Sequence, residues 1–385
     1  MGGVALRVEV NPAVLAWAKA RSRADDQRLA LRFPKLGAWE RGELAPTLNQ
    51  LEDFARATHT PLGQLLLDVP PLEEVPIPDY RTIGDSGVVQ PSADLLDTLF
   101  HCIERQDWYR SFAQINQEPP VALVGALDRS MPVVDAASAM RRLLAFDVDD
   151  RGSTFTDALR LLLHGAESAG VLVMVNGVVG SDTHRKLDPR EFRGFALVDR
   201  HAPLVFVNGA DTKAAQIFTL VHELVHICVA ETALSDADMA VTAPVDIERW
   251  CNEVAAEFLV PIARMRAAFD DGADLTEELD RLARAFKGST LVVLRRVYDL
   301  GHLGWHDYRA AYQAELARVL ELLGERASSG GNFYNTQPVR VSKRFARAVV
   351  TSTLEGETLY GEAFRLLGFR KMSTFQELAT RLGVE

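Results

Sequence analysis

Residues 218–229 read FTLVHELVHICV and contain the string His222-Glu223-x-x-His226. On an α-helix, residues four apart lie about 40° apart on one face, one turn along. Two imidazoles so placed can grip one Zn²⁺ ion at about 2 Å each. Glu223 follows the first of them, beside the coordination position a catalytic zinc leaves open. From there it can take a proton from water on the metal. Phe218, Leu220, Val221, Leu224 and Val225 crowd the three polar residues. A helix this apolar is buried, and burying its polar residues without partners would cost several kcal/mol. A metal ion is one resolution; a core helix with hydrogen-bonded polar residues is the other.

A tetrahedral site needs a third protein ligand. Residues 247–261, IERWCNEVAAEFLVP, offer Glu248, Glu253 and Glu257. At about 100° per residue, Asn252, Ala255 and Leu259 fall within about 40° of Glu248, and Cys251, Ala256 and Phe258 within about 80°. Glu253 and Glu257 fall about 140–180° away, on the expected solvent side. A carboxylate at the centre of an apolar stripe must be paired or metal-bound. Glu248 is therefore the expected third ligand, with Asn252, one turn on, supporting the site. A buried salt bridge from Glu248 to an arginine is the alternative. Cys228 and Cys251 read as small buried apolar residues rather than ligands. A donor to the transition state is expected among His201, Tyr334 and Arg193, which the sequence does not rank.

These residues need elements to hold them. A helix is expected over Thr154–Ala169, ending at Gly170, then a strand over Val171–Val175 and a turn at Asn176-Gly177. Phe195–Val198 and Leu204–Val207 are short apolar runs separated by Asp199–Pro203, so they are expected to pair as an antiparallel hairpin. Phe195–Val198 is the candidate strand for holding an extended substrate by backbone pairing. Helices over Thr212–Val229 and Asp246–Leu259 follow. The expected fold class is α+β and mostly helical: a small antiparallel sheet packed on the HExxH helix, flanked by helical N- and C-terminal domains.

FTLVHELVHI followed by ERWCNEVAAEFLVP closely resembles the ImmA/IrrE family of zinc metallopeptidases, over roughly residues 150–300. Cys251, Val254 and Val260 depart from the family pattern and leave the metal residues alone. The resemblance implies His222, His226 and Glu248 as ligands of one Zn²⁺, Glu223 as general base, and regulated cleavage of helix-turn-helix repressors. Residues 282–296, LARAFKGSTLVVLRR, resemble the small helical unit that follows the peptidase core in this family.

The ends of the chain carry other signals. Residues 35–67 resemble the second half of a Cro/repressor-type helix-turn-helix domain. From Ala30 to Trp39, however, the chain is about four residues short of that family's turn and recognition helix, the part that enters the major groove. A packing or partner-docking role is therefore the favoured reading of this block, and direct DNA binding the alternative. Arg340, Arg344 and Arg347 share a helical face, either simply solvated or a dock for an acidic partner. Two helices are expected in the tail, at about 339–353 and 357–367. The expected divisions are a helix-turn-helix-like module at 1–69, a Pro-rich linker at 70–82, a peptidase core with helical lead-in at 83–270, a small helical unit at 271–305 and a helical region at 306–385.

Composition bounds the rest. The 385 residues are 48% hydrophobic and 25% charged, which excludes a disordered chain. Against a total charge of −11, residues 1–69 carry +1 and residues 300–385 carry +2, so the middle carries −14. Nucleic-acid binding, if any, is expected only at an end. No apolar run is long enough to span a membrane. Glu9 interrupts the place of a signal core, and three scattered cysteines make no disulfide framework, so a cytoplasmic home is expected. The expected function is a zinc endopeptidase acting on a regulatory protein. The alternative is a non-catalytic DNA- or repressor-binding regulator, antitoxin-like, with the zinc site as a sensor.

Overall fold

The computed structural model describes residues 6–78, 90–235, 246–325 and 339–384. The chain divides into two compact units, one of residues 1–76 and 87–99, the other of residues 77–86 and 100–385.

The first unit is a cluster of short helices. Helix α1 (Pro12–Ser22) starts where Asn11 Oδ1 accepts from Ala13 N, with proline in its first turn. Helix α2 (Asp26–Arg32) is capped by Asp25. Helix α3 (Leu36–Glu40) has only five residues and buries Leu36 and Trp39. Helix α4 (Leu48–Ala57) opens with a reciprocal cap between Thr47 and Gln50. Phe33, Trp39 and Phe54 meet at the centre, Phe33 and Phe54 edge-on at 5.6 Å.

The second unit holds the sheet. Its lead-in comprises helix α5 (Ala93–Ile115) from Phe100 onward, α6 (Val133–Leu143) and α7 (Phe155–Ser168), the last begun by a Thr154–Asp157 capping box. Strands β1 (Leu172–Asn176), β4 (Gly194–Leu197), β5 (Leu204–Asn208) and β6 (Ala233–Ser235) form one sheet in the order β1-β5-β4-β6. Strands β2 (Val178–Val179) and β3 (Asp182–Lys186) make a separate ribbon. The expected β4–β5 hairpin is present, antiparallel, with Phe195 opposite Phe206.

The sheet is mixed rather than wholly antiparallel, because β1 pairs parallel to β5, Leu172 opposite Leu204. The chain leaves β1, crosses to β4 and returns through the hairpin, so β5 slots between them in the same direction as β1. β4 is therefore interior, and β6 covers the side expected to be free. Every residue of β1, β4 and β5 is buried, which explains continuous apolar runs in place of alternation.

Helix α8 (Lys213–Cys228) packs against β4 and β5 and against α7, and α9 (Asp246–Leu259) packs on both α8 and α6. One core runs through these layers and on to α11 (Leu275–Phe286) and α12 (Thr290–Asp299), which follow the short α10 (Ile262–Ala268). The break between α11 and α12 is where Lys287 takes a left-handed conformation and Ser289 caps α12. Helix α13 (Trp305–Glu325) comes next. The tail folds as α14 (Lys343–Leu354), α15 (Tyr360–Leu367) and α16 (Met372–Leu382). The last was not expected, although Phe375, Leu378, Ala379 and Leu382 bury one face of it and Gly383 ends it.

The tail arginines are not a free cationic face. Arg344 donates to Tyr109 Oη at 2.7 Å and to Glu118 Oε2 at 3.1 Å, and Arg347 donates to the Leu382 carbonyl. Among the described residues no helix is long and apolar enough to cross a membrane.

Candidate metal centre

Helix α8 begins where Thr212 Oγ1 accepts from Ala215 N. From Ala215 to Cys228 every residue is buried, because the sheet lies on one side and α7 and α9 on others. Its C-terminal end is fixed by backbone donors from a neighbouring loop: Gly125 N to Ile227 O and Leu127 N to Cys228 O. The helix is thus held at both ends, and the histidine pair sits in its last two turns.

His222, Glu223 and His226 are each 0% exposed. The Nε2 atoms of His222 and His226 face each other at 3.1 Å. Glu248, in the first turn of α9, brings one carboxylate oxygen to 3.2 Å from His222 Nε2 and the other to 3.0 Å from His226 Nε2. Among the described residues this is the one cluster of three or more side chains with metal-ligand chemistry. A tetrahedral zinc with ligands at about 2.0–2.1 Å holds them about 3.3 Å apart. The observed spacing matches that demand to within a few tenths of an ångström. Two ring nitrogens and a carboxylate converging in a dry interior form a donor set that fits a divalent metal such as zinc.

The electrostatics agree. Burial alone would raise the Glu248 carboxyl, but hydrogen bonds and charge from His222 and His226 overcome it and hold it well below the usual carboxylate range. Burial pushes His226 down, against the pull of Glu248. An ionised Glu248 carboxylate is the form a metal takes. Burial pushes the Cys228 thiol up to about 12 and that of Cys251 well above its ordinary value. Both are buried in the core cluster and are poor ligands.

Glu223 lies beneath the start of β4. A β-carbon at Gly194 would meet Glu223 Cγ at 3.2 Å and Thr219 Cγ2 at 2.6 Å, so only glycine lets the strand lie this close to α8. Sequence reasoning missed this glycine; its signal was a glycine heading an apolar run. Asn252 lies on the buried side of α9, and its Oδ1 has no hydrogen-bond partner among the described residues. It stands one turn from Glu248 without bonding to it.

Glu257 differs from expectation. It is buried, not solvated: its Oε2 accepts from Arg296 Nη2 at 3.0 Å and from Ile262 N at 3.1 Å. Arg296 of helix α12 reaches the face of α9 that an isolated amphipathic helix would leave wet. Glu253 is half-buried. Arg193 stands 3.8 Å from Asp211, the His201 backbone N–H donates to Asp199, and neither residue hydrogen-bonds or ion-pairs with His222 or His226 among the described residues. Tyr334, the third expected donor, lies outside the described residues.

The family model described as an IrrE N-terminal-like domain (Peptidase_M78) matches residues 166–298, a span that contains His222, Glu223, His226 and Glu248. The metallopeptidase resemblance read from the two motifs holds for this segment. A second family model, a domain of unknown function (DUF8813), matches residues 341–381. No curated protein and no solved structure matches the chain.

Proposed function

We propose that the chain is a zinc-dependent endopeptidase that cuts a regulatory protein, a helix-turn-helix repressor, with His222, His226 and Glu248 holding one Zn²⁺ and Glu223 as general base. The convergence of three ligand atoms from two helices at 3.0–3.2 Å carries this reading. Zinc held there supplies Lewis acidity, polarising a peptide carbonyl and acidifying water. Glu223, next to His222 and shielded from solvent, takes the proton of the attacking water on its carboxylate. It then passes that proton to the nitrogen of the leaving amine. His222 and His226 bind through Nε2 and are fixed by α8. The reading places the protein in a reducing cytoplasm, which three free buried cysteines suit, and gives the N-terminal helical unit a partner-docking role.

A second reading draws on the closure of the site. With its histidines wholly buried, the centre also suits a non-catalytic regulator that senses zinc and captures a repressor. One experiment separates the two. Zinc-loaded protein is mixed with repressors encoded beside its gene, and the products are weighed by mass spectrometry. A single discrete cut, absent with Glu223→Gln and with chelator, supports the peptidase. Tight capture without fragments supports the regulator, and fragments that persist in the Glu223→Gln variant reveal a contaminating protease.

A further inference from the structure

A polypeptide cut beside Glu223 needs a strand to lie along, and three places on the sheet come into question: its two outer edges and the side of β4 that β6 fills. The outer edge of β1 is at the far end of the sheet, separated from β4 by β5. The outer edge of β6 is already engaged: Leu234 N donates to Pro78 O at 2.9 Å, and proline has no N–H to return. The third is the side of β4 that turns away from β5. It belongs to the strand whose Gly194 packs directly over Glu223. That side is filled by β6, antiparallel, with Ser235 opposite Gly194, Leu234 opposite Phe195 and Ala233 opposite Ala196.

Strand β6 has the features of a stand-in. It is three residues long, against five in β1 and β5. It follows directly on the metal helix, through Ala230 in a left-handed conformation with φ 58°. Thr232 Oγ1 accepts from Val198 N at 3.0 Å, so a side chain continues the pairing where backbone pairing ends. The candidate metal residues are closed off, His222, Glu223 and His226 all at 0% exposure, and Glu223 lies against Gly194, which Ser235 pairs.

We propose that the side of β4 at Gly194–Leu197 is the substrate-holding strand, and that Ala233–Ser235 occupies it in cis in the resting protein. The substrate is then an extended segment that replaces β6 in the same antiparallel register. It presents an apolar side chain opposite Phe195, as Leu234 does, and a small one opposite Ala196, as Ala233 does. A folded helical repressor must first expose such a segment. Catalysis and metal exchange both wait on the departure of β6. The inference rests on the peptidase reading for its substrate, but not for the closure itself.

The test pins the strand. Ala196 and Ala233 are directly opposed across β4 and β6, a spacing that suits a disulfide in the Ala196→Cys/Ala233→Cys double variant. Two rates are read on zinc-loaded protein: transfer of zinc to an excess of a chromogenic chelator, and cleavage of the repressor that the wild type cuts. The oxidised variant is expected to release zinc at least tenfold more slowly than its reduced form and to lose cleavage, with reductant restoring both. Equal zinc release and equal cleavage in the two forms would overturn the proposal. If no form of the protein cuts anything, the peptidase reading fails and the zinc-release ratio still decides the role of β6. Should the double variant not fold, Ala233→Pro serves. It weakens the hold of β6 and is expected to speed zinc release several-fold; an unchanged rate sinks the idea.

Discussion

Gly194 lies against Glu223 so closely that a single methyl group would stand 3.2 Å from the glutamate Cγ. The same methyl would reach 2.6 Å from Thr219 Cγ2 and 2.8 Å from the Phe206 carbonyl oxygen. Gly194→Ala must therefore push β4 off α8 or tilt Glu223. The expected result is a fall in kcat/KM of at least about tenfold with zinc stoichiometry retained, and a loss of about 1–3 kcal/mol in urea unfolding, the usual range for overpacking. Wild-type turnover in this variant would show that the close approach has no part in placing the base.

Glu223→Gln keeps the shape of the side chain and removes its ability to accept a proton as a carboxylate. Cleavage is expected to drop by about 10²–10⁴-fold, the usual contribution of general acid–base catalysis. Zinc content by atomic absorption should stay at one per chain.

Glu248→Ala removes the proposed ligand that α9 brings to α8. Equilibrium dialysis should show zinc affinity lost, and His222→Ala should behave alike. For the unaltered protein, metal binding to the folded state alone adds about 4 kcal/mol of stability at a free zinc concentration of 1,000 Kd. Chelator should lower the Tm of the wild type and leave that of Glu248→Ala unmoved.

Arg296→Met strands the buried Glu257 carboxylate, whose partners are Arg296 at 3.0 Å and the Ile262 amide. Breaking a buried pair costs about 3–5 kcal/mol, whereas replacing both members with apolar groups is often neutral. Urea denaturation should show that loss for the single variant and recovery of most of it in Arg296→Met/Glu257→Leu. Equal stability of the two variants would mean that the carboxylate finds water instead.

Alkali should unfold the protein through its thiols. Burial raises Cys102 and Cys228 to about 12 and Cys251 well above its ordinary value of 9.0. Above pH 9 the unfolded chain releases these protons while the folded one keeps them. Their contribution is therefore whole below pH 9 and is lost as pH rises toward 12. Each thiol costs the fold about 1.4 kcal/mol at pH 10, so the urea midpoint should fall steeply between pH 9 and 11. A variant with all three cysteines changed to alanine should show a shallower slope.

Much of the site was legible because helical periodicity is local. His222 and His226 share a face whatever surrounds them, and Glu248 sits mid-stripe on α9 by its phase alone. The Thr47 and Thr154 caps and the β4–β5 hairpin were equally readable, since each depends on a few adjacent residues. Glu257 was misjudged for the complementary reason. Its partner Arg296 arrives from another helix 39 residues later, and no window along α9 contains it. The parallel placement of β1, the pairing of β4 with β6 and the close pass of Gly194 over Glu223 are of the same kind.

The order of amino acids alone therefore set which side chains could hold a metal, because residue type and helical phase need nothing beyond one element. Packing decided that the two helices meet at ligand distance, that a buried ion pair braces the second of them, and that a short strand lies along β4 beside Glu223. Those outcomes depend on groups far apart in the chain being driven together by the burial of a shared apolar core, which no local pattern encodes.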